Sequence, residues 1–161
     1  CTLHAEGGSN NAMALATELD SSVELDSCRL TATASGGTIA RPAFLLGTSV
    51  QARNSTFVGE SDTGEAFGVY CDTGSSGAQV LFQGCHLQAT SGPGSTAVGA
   101  FSTGLAPALF SHCLIQSSWF AVTGLGSSIF RHCAFNGLFS HAQAGCVACT
   151  TTTAFYPDSC P

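Results

Sequence analysis

The chain contains no lysine, and only 9% of its residues are charged, where a soluble domain carries about 25%. Its four arginines are outnumbered by ten acidic residues, for a formal net charge of −6. A chain so poor in cations has no electrostatic footprint for nucleic acid or for an anionic lipid surface, and both are excluded as partners. No apolar run approaches the roughly 18 residues of a membrane span, because Gly, Ser and Thr interrupt everywhere. There is also no initiator methionine and no signal peptide, so the sequence is read as a processed chain or a piece of a longer one.

What is present is 161 residues, 44% of them hydrophobic, including nine cysteines and 19 glycines. That is enough for one domain, residues 1–161, with a sizeable core. The abundance of Gly, Ser, Thr and Ala favours close-packed β structure with many turns. Charge is concentrated in residues 1–72, which hold nine of the ten acids and three of the four arginines, and no charged side chain occurs from Thr73 to Phe130. Nine cysteines in a nearly uncharged chain point to an oxidising, extracellular or cell-surface setting.

The cysteines mark a repeat. Aligned on them, the chain reads "CTLHAE" at Cys1, "VELDSCRLTAT" at Cys28, "VQARNSTFVGE" with Ser55 in the same slot, "VLFQGCHLQAT" at Cys85, "ALFSHCLIQSS" at Cys113, "SIFRHCAFNGL" at Cys133 and "FYPDSCP" at Cys160. The spacings are 27, 27, 30, 28, 20 and 27 residues. Two positions after this slot zero stand Leu3, Leu30, Phe57, Leu87, Ile115 and Phe135. Three before it stand Leu25, Ala52, Phe82, Phe110, Phe130 and Pro157, and five before it Val23, Val50, Val80, Ala108, Ser128 and Phe155.

Slots −5 and −3 alternate as a strand does, and so do 0 and +2, but the two sets are out of step by one. The chain must therefore bend at slots −2 and −1, where Asn54 and Gly84 suit a left-handed corner. A third apolar segment completes each period: 12–16, 43–47, 67–71, 98–101, 119–124 and 145–149. Three short strands per period of about 27 residues is one coil of a solenoid. About six coils at some 4.8 Å each make a column about 30 Å tall.

The motif, cleanest in "SIFRHCAF" and "VLFQGCHL", resembles the right-handed parallel β-helix repeat of the pectin-lyase-like superfamily. The resemblance implies an all-β, right-handed parallel β-helix. It says little about chemistry, because such folds include lyases, glycosidases, phage tailspikes, adhesins and scaffolds.

Candidate sites are then weighed against turn and core roles. "YCDTGSSG" around Asp72 reads like an aspartic-protease loop, which needs a second Asp to share a proton. The only other Asp-Thr-Gly, at Asp62, is expected in a matching turn between coils, so both are assigned to turns. Polysaccharide lyase or glycosidase chemistry would need paired carboxylates or a basic residue beside an acidic cluster. Arg53 and Arg131 share slot −2 but sit three coils apart. The stripe Glu18, Asp20, Glu24, Asp26, Glu60, Asp62 and Glu65 offers at most a weak Ca²⁺ site.

His112 and His132 occupy one outward slot in adjacent coils, with His86 near by, and stacked imidazoles can hold a transition metal. No cysteine is placed to help them, since slot zero points inward. Cys146 and Cys149 have the C-x-x-C spacing without a second half-site, and are expected to form a local disulfide or stay buried. The cysteine column is expected to consist of free thiols, because a parallel stack aims neighbouring side chains the same way and strains a bridge. The sequon Asn54-Ser55-Thr56 lies at a tight corner with Ser55 inward, where glycosylation is not expected. No catalytic, cofactor-binding or metal-binding residue is assigned.

Neither end shows a capping element, and Trp119, Phe120 and Phe139 are expected near surface turns. The function expected is a non-catalytic, extracellular structural or adhesive β-helix that self-associates, head to tail or laterally, into a fibre or surface assembly. The alternative is a carbohydrate-binding or polysaccharide-cleaving β-helix fragment.

Overall fold

A computed structural model describes residues 1–161 apart from 9, 19–20, 74–77, 105, 142–143, 153 and 157–158, with backbone alone at 155–156. The described chain is an all-β parallel solenoid without helices. Four coils carry three separate strands each: β1 (Thr2–Gly7), β2 (Ala12–Thr17) and β3 (Ser22–Asp26); β4 (Arg29–Ala34), β5 (Ala40–Leu46) and β6 (Ser49–Arg53); β7 (Thr56–Ser61), β8 (Ala66–Asp72) and β9 (Val80–Gln83); β10 (His86–Ser91), β11 (Ala97–Thr103) and β12 (Ala108–Ser111).

Beyond these the form changes, so four regular turns stand where about six were expected. The connection between the first two strands shortens, so that β13 (Leu114–Gly124) and β15 (Ala134–His141) each run across it as one strand, followed by β14 (Ser128–Arg131) and β16 (Ala144–Val147). Because β13 pairs with both β10 and β11, it joins two walls into a single 12-stranded sheet; the third wall is the six-stranded sheet β3-β6-β9-β12-β14-β16.

The pairings between successive coils are parallel and, apart from register shifts between β13 and β15, keep equivalent residues opposite one another, as in Leu109↔Ile129 and Phe110↔Phe130. The expected inward columns are buried at Leu30, Phe57, Leu87, Ile115 and Phe135 of slot +2 and at Leu25, Ala52, Phe82, Phe110 and Phe130 of slot −3, whereas Leu3, in the first strand with no coil beneath it, is exposed. The rings of Phe82, Phe110 and Phe130 stack at 5.2 and 4.9 Å, and Phe57 and Phe135 meet this column edge-on. Such pairs add about 0.5–1.5 kcal/mol each beyond their buried area.

The bend at slot −1 is present in every coil. Ser27, Asn54, Gly84, His112, His132 and Ala148 all have φ between 48° and 62°. Their N–H groups, from Ser27 to His132, donate to the carbonyl at slot −2 of the next coil at 2.9–3.0 Å. Slot zero closes the bend from inside. Ser55 Oγ donates to the Arg53 carbonyl at 2.7 Å, and the thiols of Cys85, Cys113, Cys133 and Cys149 donate to the carbonyls two residues before them at 3.4–3.6 Å.

The C-terminal region departs from the repeat. Slot zero of the last period is Cys149, 16 residues after Cys133, and not Cys160. Segment 145–149 is therefore not a third strand: Ala144–Val147 continues the six-stranded wall with Cys146 opposite Phe130. After β17 (Cys149–Thr151) the chain turns back as β18 (Phe155–Tyr156), which pairs antiparallel with β17. A Cys146–Cys160 disulfide fastens this reversal. The C-terminal end was expected to lack a cap, but an antiparallel strand lies where another parallel strand would add. Phe139, expected near the surface, packs edge-on against Phe130 and Phe135 in the core.

Inward and outward neighbours on one strand should separate in stability. Phe110→Ala is expected to cost about 3–5 kcal/mol. Leu109→Ala, on the outer face of the same strand, should change stability by less than about 0.5 kcal/mol. Urea unfolding of the two variants checks the register; equal losses would contradict it.

Candidate functional site

The wall formed by β5, β8 and β11 has inner and outer faces of different chemistry. Ala43, Leu45, Val69, Cys71 and Ala100 face the core. The alternate residues Phe44, Tyr70 and Phe101 face outward and stand in register on three successive coils. Their rings follow one another at 5.1 Å (Phe44–Tyr70) and 4.7 Å (Tyr70–Phe101, 21° from parallel). Phe67 meets Tyr70 and Phe101 edge-on at 5.5 and 5.9 Å.

The Arg41 guanidinium lies over this group, 5.0 Å from the Phe44 ring, 5.3 Å from Phe67 and 4.8 Å from Tyr70. A cation held over aromatic faces gains about 0.5–1 kcal/mol at an exposed site. The Nε of Arg41 is buried there without a hydrogen-bond partner.

The apolar surface continues along the wall. Met13 is paired with Arg41 on one side. On the other, Phe120 is paired with Val98 and then Leu138. Trp119 stacks on Phe120 at 5.6 Å. Met13, Trp119 and Leu138 are 42%, 42% and 59% exposed, too open for core residues. Of this surface, Trp119 and Phe120 were legible in the sequence. Phe44, Tyr70 and Phe101 were hidden within apolar segments whose phase had not been fixed.

The corner between the six-stranded wall and the first wall carries the polar candidates. His112 and His132 are exposed and stacked, with ring centroids 4.9 Å apart. Ser111 Oγ lies 2.8 Å from His112 Nδ1. His86 turns to a different partner, Gln116 Oε1 at 2.8 Å. His141 is buried, and burial lowers its pKa.

The carboxylates are not gathered for catalysis. Asp72 ends β8, whereas Asp62 lies before its start, so the two occupy different corners and not matching turns. Seven strand residues separate those corners by about 20 Å, too far to share a proton. Positions 74–77 of the Asp72 loop lie outside the described residues.

Glu60 and Asp62 share a shallow depression with Thr33, Ser35 and Thr90. Both carboxylates are exposed. Among the described residues no group of three or more His, Cys, Asp or Glu side chains is placed to hold a metal ion; Asp20 of the acidic stripe is not described.

The cysteines divide in two. Cys1 is bridged to Cys28, and Cys146 to Cys160. The bridges correct the expectation of free thiols at Cys1, Cys28 and Cys160: Cys1 lies outside the strands, so its side chain can turn to meet Cys28, and Cys160 lies outside the stack and meets Cys146. Cys146 and Cys149 of the C-x-x-C spacing do not bond to each other; Cys149 is a buried free thiol. Burial pushes the Cys71 thiol above its ordinary range. A thiol bond to Cys113, then burial, pushes Cys85 up, and bonds to Cys113 and Cys149, then burial, push Cys133 up.

The chain matches no family model, no curated protein and no solved structure. Its parallel solenoid rests on its own hydrogen-bonded sheets.

The five free thiols are all buried, so a thiol reagent should reach none of them in the folded protein. Thiol titration in buffer at neutral pH is expected to give close to zero, and after unfolding all five. Rapid labelling of native Cys85 or Cys113 would place slot zero at the surface.

Proposed function

We propose that this chain is a non-catalytic, extracellular structural or adhesive β-helix that joins a second copy side by side. The aromatic wall around Tyr70 is the contact surface. The observation that carries this reading is the outward stack Phe44–Tyr70–Phe101 with Arg41 over it. Tyr, Trp, Phe, Met and Arg are the residues enriched in the buried centres of protein interfaces.

A second copy is a fitting occupant because its rows of side chains rise by the same step per coil. Ridges on one wall then meet furrows of matching period on the other, as in two sheets packed face to face. Stacked rings cover one another's faces and present their edges, which suits flat apolar contact better than stacking against a sugar. The C-terminal reversal at β18 favours lateral over end-on growth at that end. Two disulfides fit an oxidising setting outside the cell.

Analytical ultracentrifugation of the purified chain across a concentration series tests this. Lateral dimers or larger assemblies are expected, with weak salt dependence because the wall carries little charge. Tyr70→Glu should yield monomers that still melt cooperatively. A wild type that stays monomeric at high concentration would end the proposal, and glycan binding by that monomer would favour the carbohydrate alternative.

A further inference from the structure

The corner column includes a pair of side chains that neither the core nor the aromatic wall uses. His112 and His132 stand on successive coils, their ring centroids 4.9 Å apart and their planes 24° from parallel. Their backbones are fixed. Both residues hold left-handed φ values of 54° and 52°, and their N–H groups donate to the Arg131 and Val147 carbonyls at 2.9 Å. The bonds between coils hold their two Cα positions one coil apart, so the imidazoles stay neighbours, and both are exposed and reachable by an ion.

We infer that His112 and His132 form a two-nitrogen site for a divalent transition ion of the Ni(II), Cu(II) and Zn(II) class. Imidazole nitrogen is the donor these ions prefer, whereas Ca²⁺ and Mg²⁺ take oxygen ligands. In the bound form His112 Nδ1–H donates to Ser111 Oγ, 2.8 Å away, which leaves Nε2 with its lone pair for the metal. Such an outer hydrogen bond fixes the tautomer and ring orientation of a ligating histidine.

Metal–nitrogen bonds of about 2.0–2.1 Å bring two cis ligand nitrogens about 2.9 Å apart at a tetragonal Cu(II) or Ni(II) ion and about 3.3 Å apart at a tetrahedral Zn(II). The stacked rings reach either separation by tilting about Cβ–Cγ, with the backbone unmoved. Water fills the remaining positions, since no third His, Cys, Asp or Glu is gathered there among the described residues. Arg131, exposed at the same corner, opposes a cation through charge alone. The site is therefore reversible, and it favours the ions that bind nitrogen most strongly, Cu(II) and Ni(II), over Zn(II).

The corner itself supplies the test variants. Asn54 occupies the equivalent position with φ 48°, so His112→Asn and His132→Asn keep a residue that tolerates the bend. Untagged protein is titrated with Ni(II) by calorimetry, and its melting temperature is followed with and without the ion. Wild type is expected to bind one Ni(II) per chain and to melt higher with it, because an ion that binds only the folded state stabilises that state.

Either single Asn variant should lose both effects, and Ser111→Ala should bind about tenfold more weakly. His86→Asn should behave as wild type. Retention of wild-type binding by His112→Asn or His132→Asn overturns the assignment, as does loss of binding in His86→Asn.

Discussion

In each coil the polypeptide passes from the six-stranded wall to the first wall through one hydrogen-bonded corner. From the third coil on, the slot-zero side chain donates to the carbonyl two residues behind it, as in Ser55 to Arg53 and Cys113 to Ser111, while Cys28 is bridged to Cys1. The donor has to be short enough to reach back and small enough to lie in the core, which leaves cysteine and serine. Between donor and acceptor the chain is held left-handed, a conformation that costs about 1–3 kcal/mol for a residue other than glycine. Ser27, Asn54, His112, His132 and Ala148 all adopt it. The inter-coil bonds on both sides over-determine the bend, and it persists.

The switch of phase at that corner sorts the side chains. Before it, Phe82, Phe110 and Phe130 stack inward while Leu81, Leu109 and Ile129 line the outside. After it, Leu87, Ile115 and Phe135 are inward. The corner residue is thrown outward, so two histidines in the same slot must meet as a stacked pair. Metal affinity at that pair would be a by-product of repetition: any side chain placed at slot −1 recurs about 5 Å away.

The second corner is less strictly specified. It is present in the first four coils, where Gly59 lets β7 approach the Phe67 carbonyl, a contact that any Cβ would obstruct. In the next two the connection shortens until one strand runs across it, and β13 pairs with β15 through register shifts between Gln116 and Val122. The aromatic wall spans this transition, from Phe44 in the second coil to Phe120 in β13 and Leu138 in β15. A wall continuous across regular and irregular coils offers one surface to a partner. The acidic side chains, such as Glu24, Asp26, Glu60 and Asp62, are instead scattered over other strands and turns.

The sequence by itself determined the parallel solenoid, its inward columns and its left-handed corner. Those features repeat, and the side-chain period of two in a strand makes any repeated phase visible without coordinates. It also placed His112 and His132 side by side, because a shared slot in a parallel stack is a shared position in space. It misplaced the last coil, where the period shortens and Cys160, at a plausible spacing from Cys133, competes with Cys149 for the slot. Only the tertiary structure decided that Cys149 fills the slot and that Cys160 returns to Cys146. That choice depends on where β16 finds a partner strand, and no local pattern encodes it. The aromatic wall was equally hidden. Whether Phe44, Tyr70 and Phe101 point inward or outward turns on how the variable Gly, Ser and Thr turns set each strand's starting phase, and those turns fix it only once the neighbouring coils are in place.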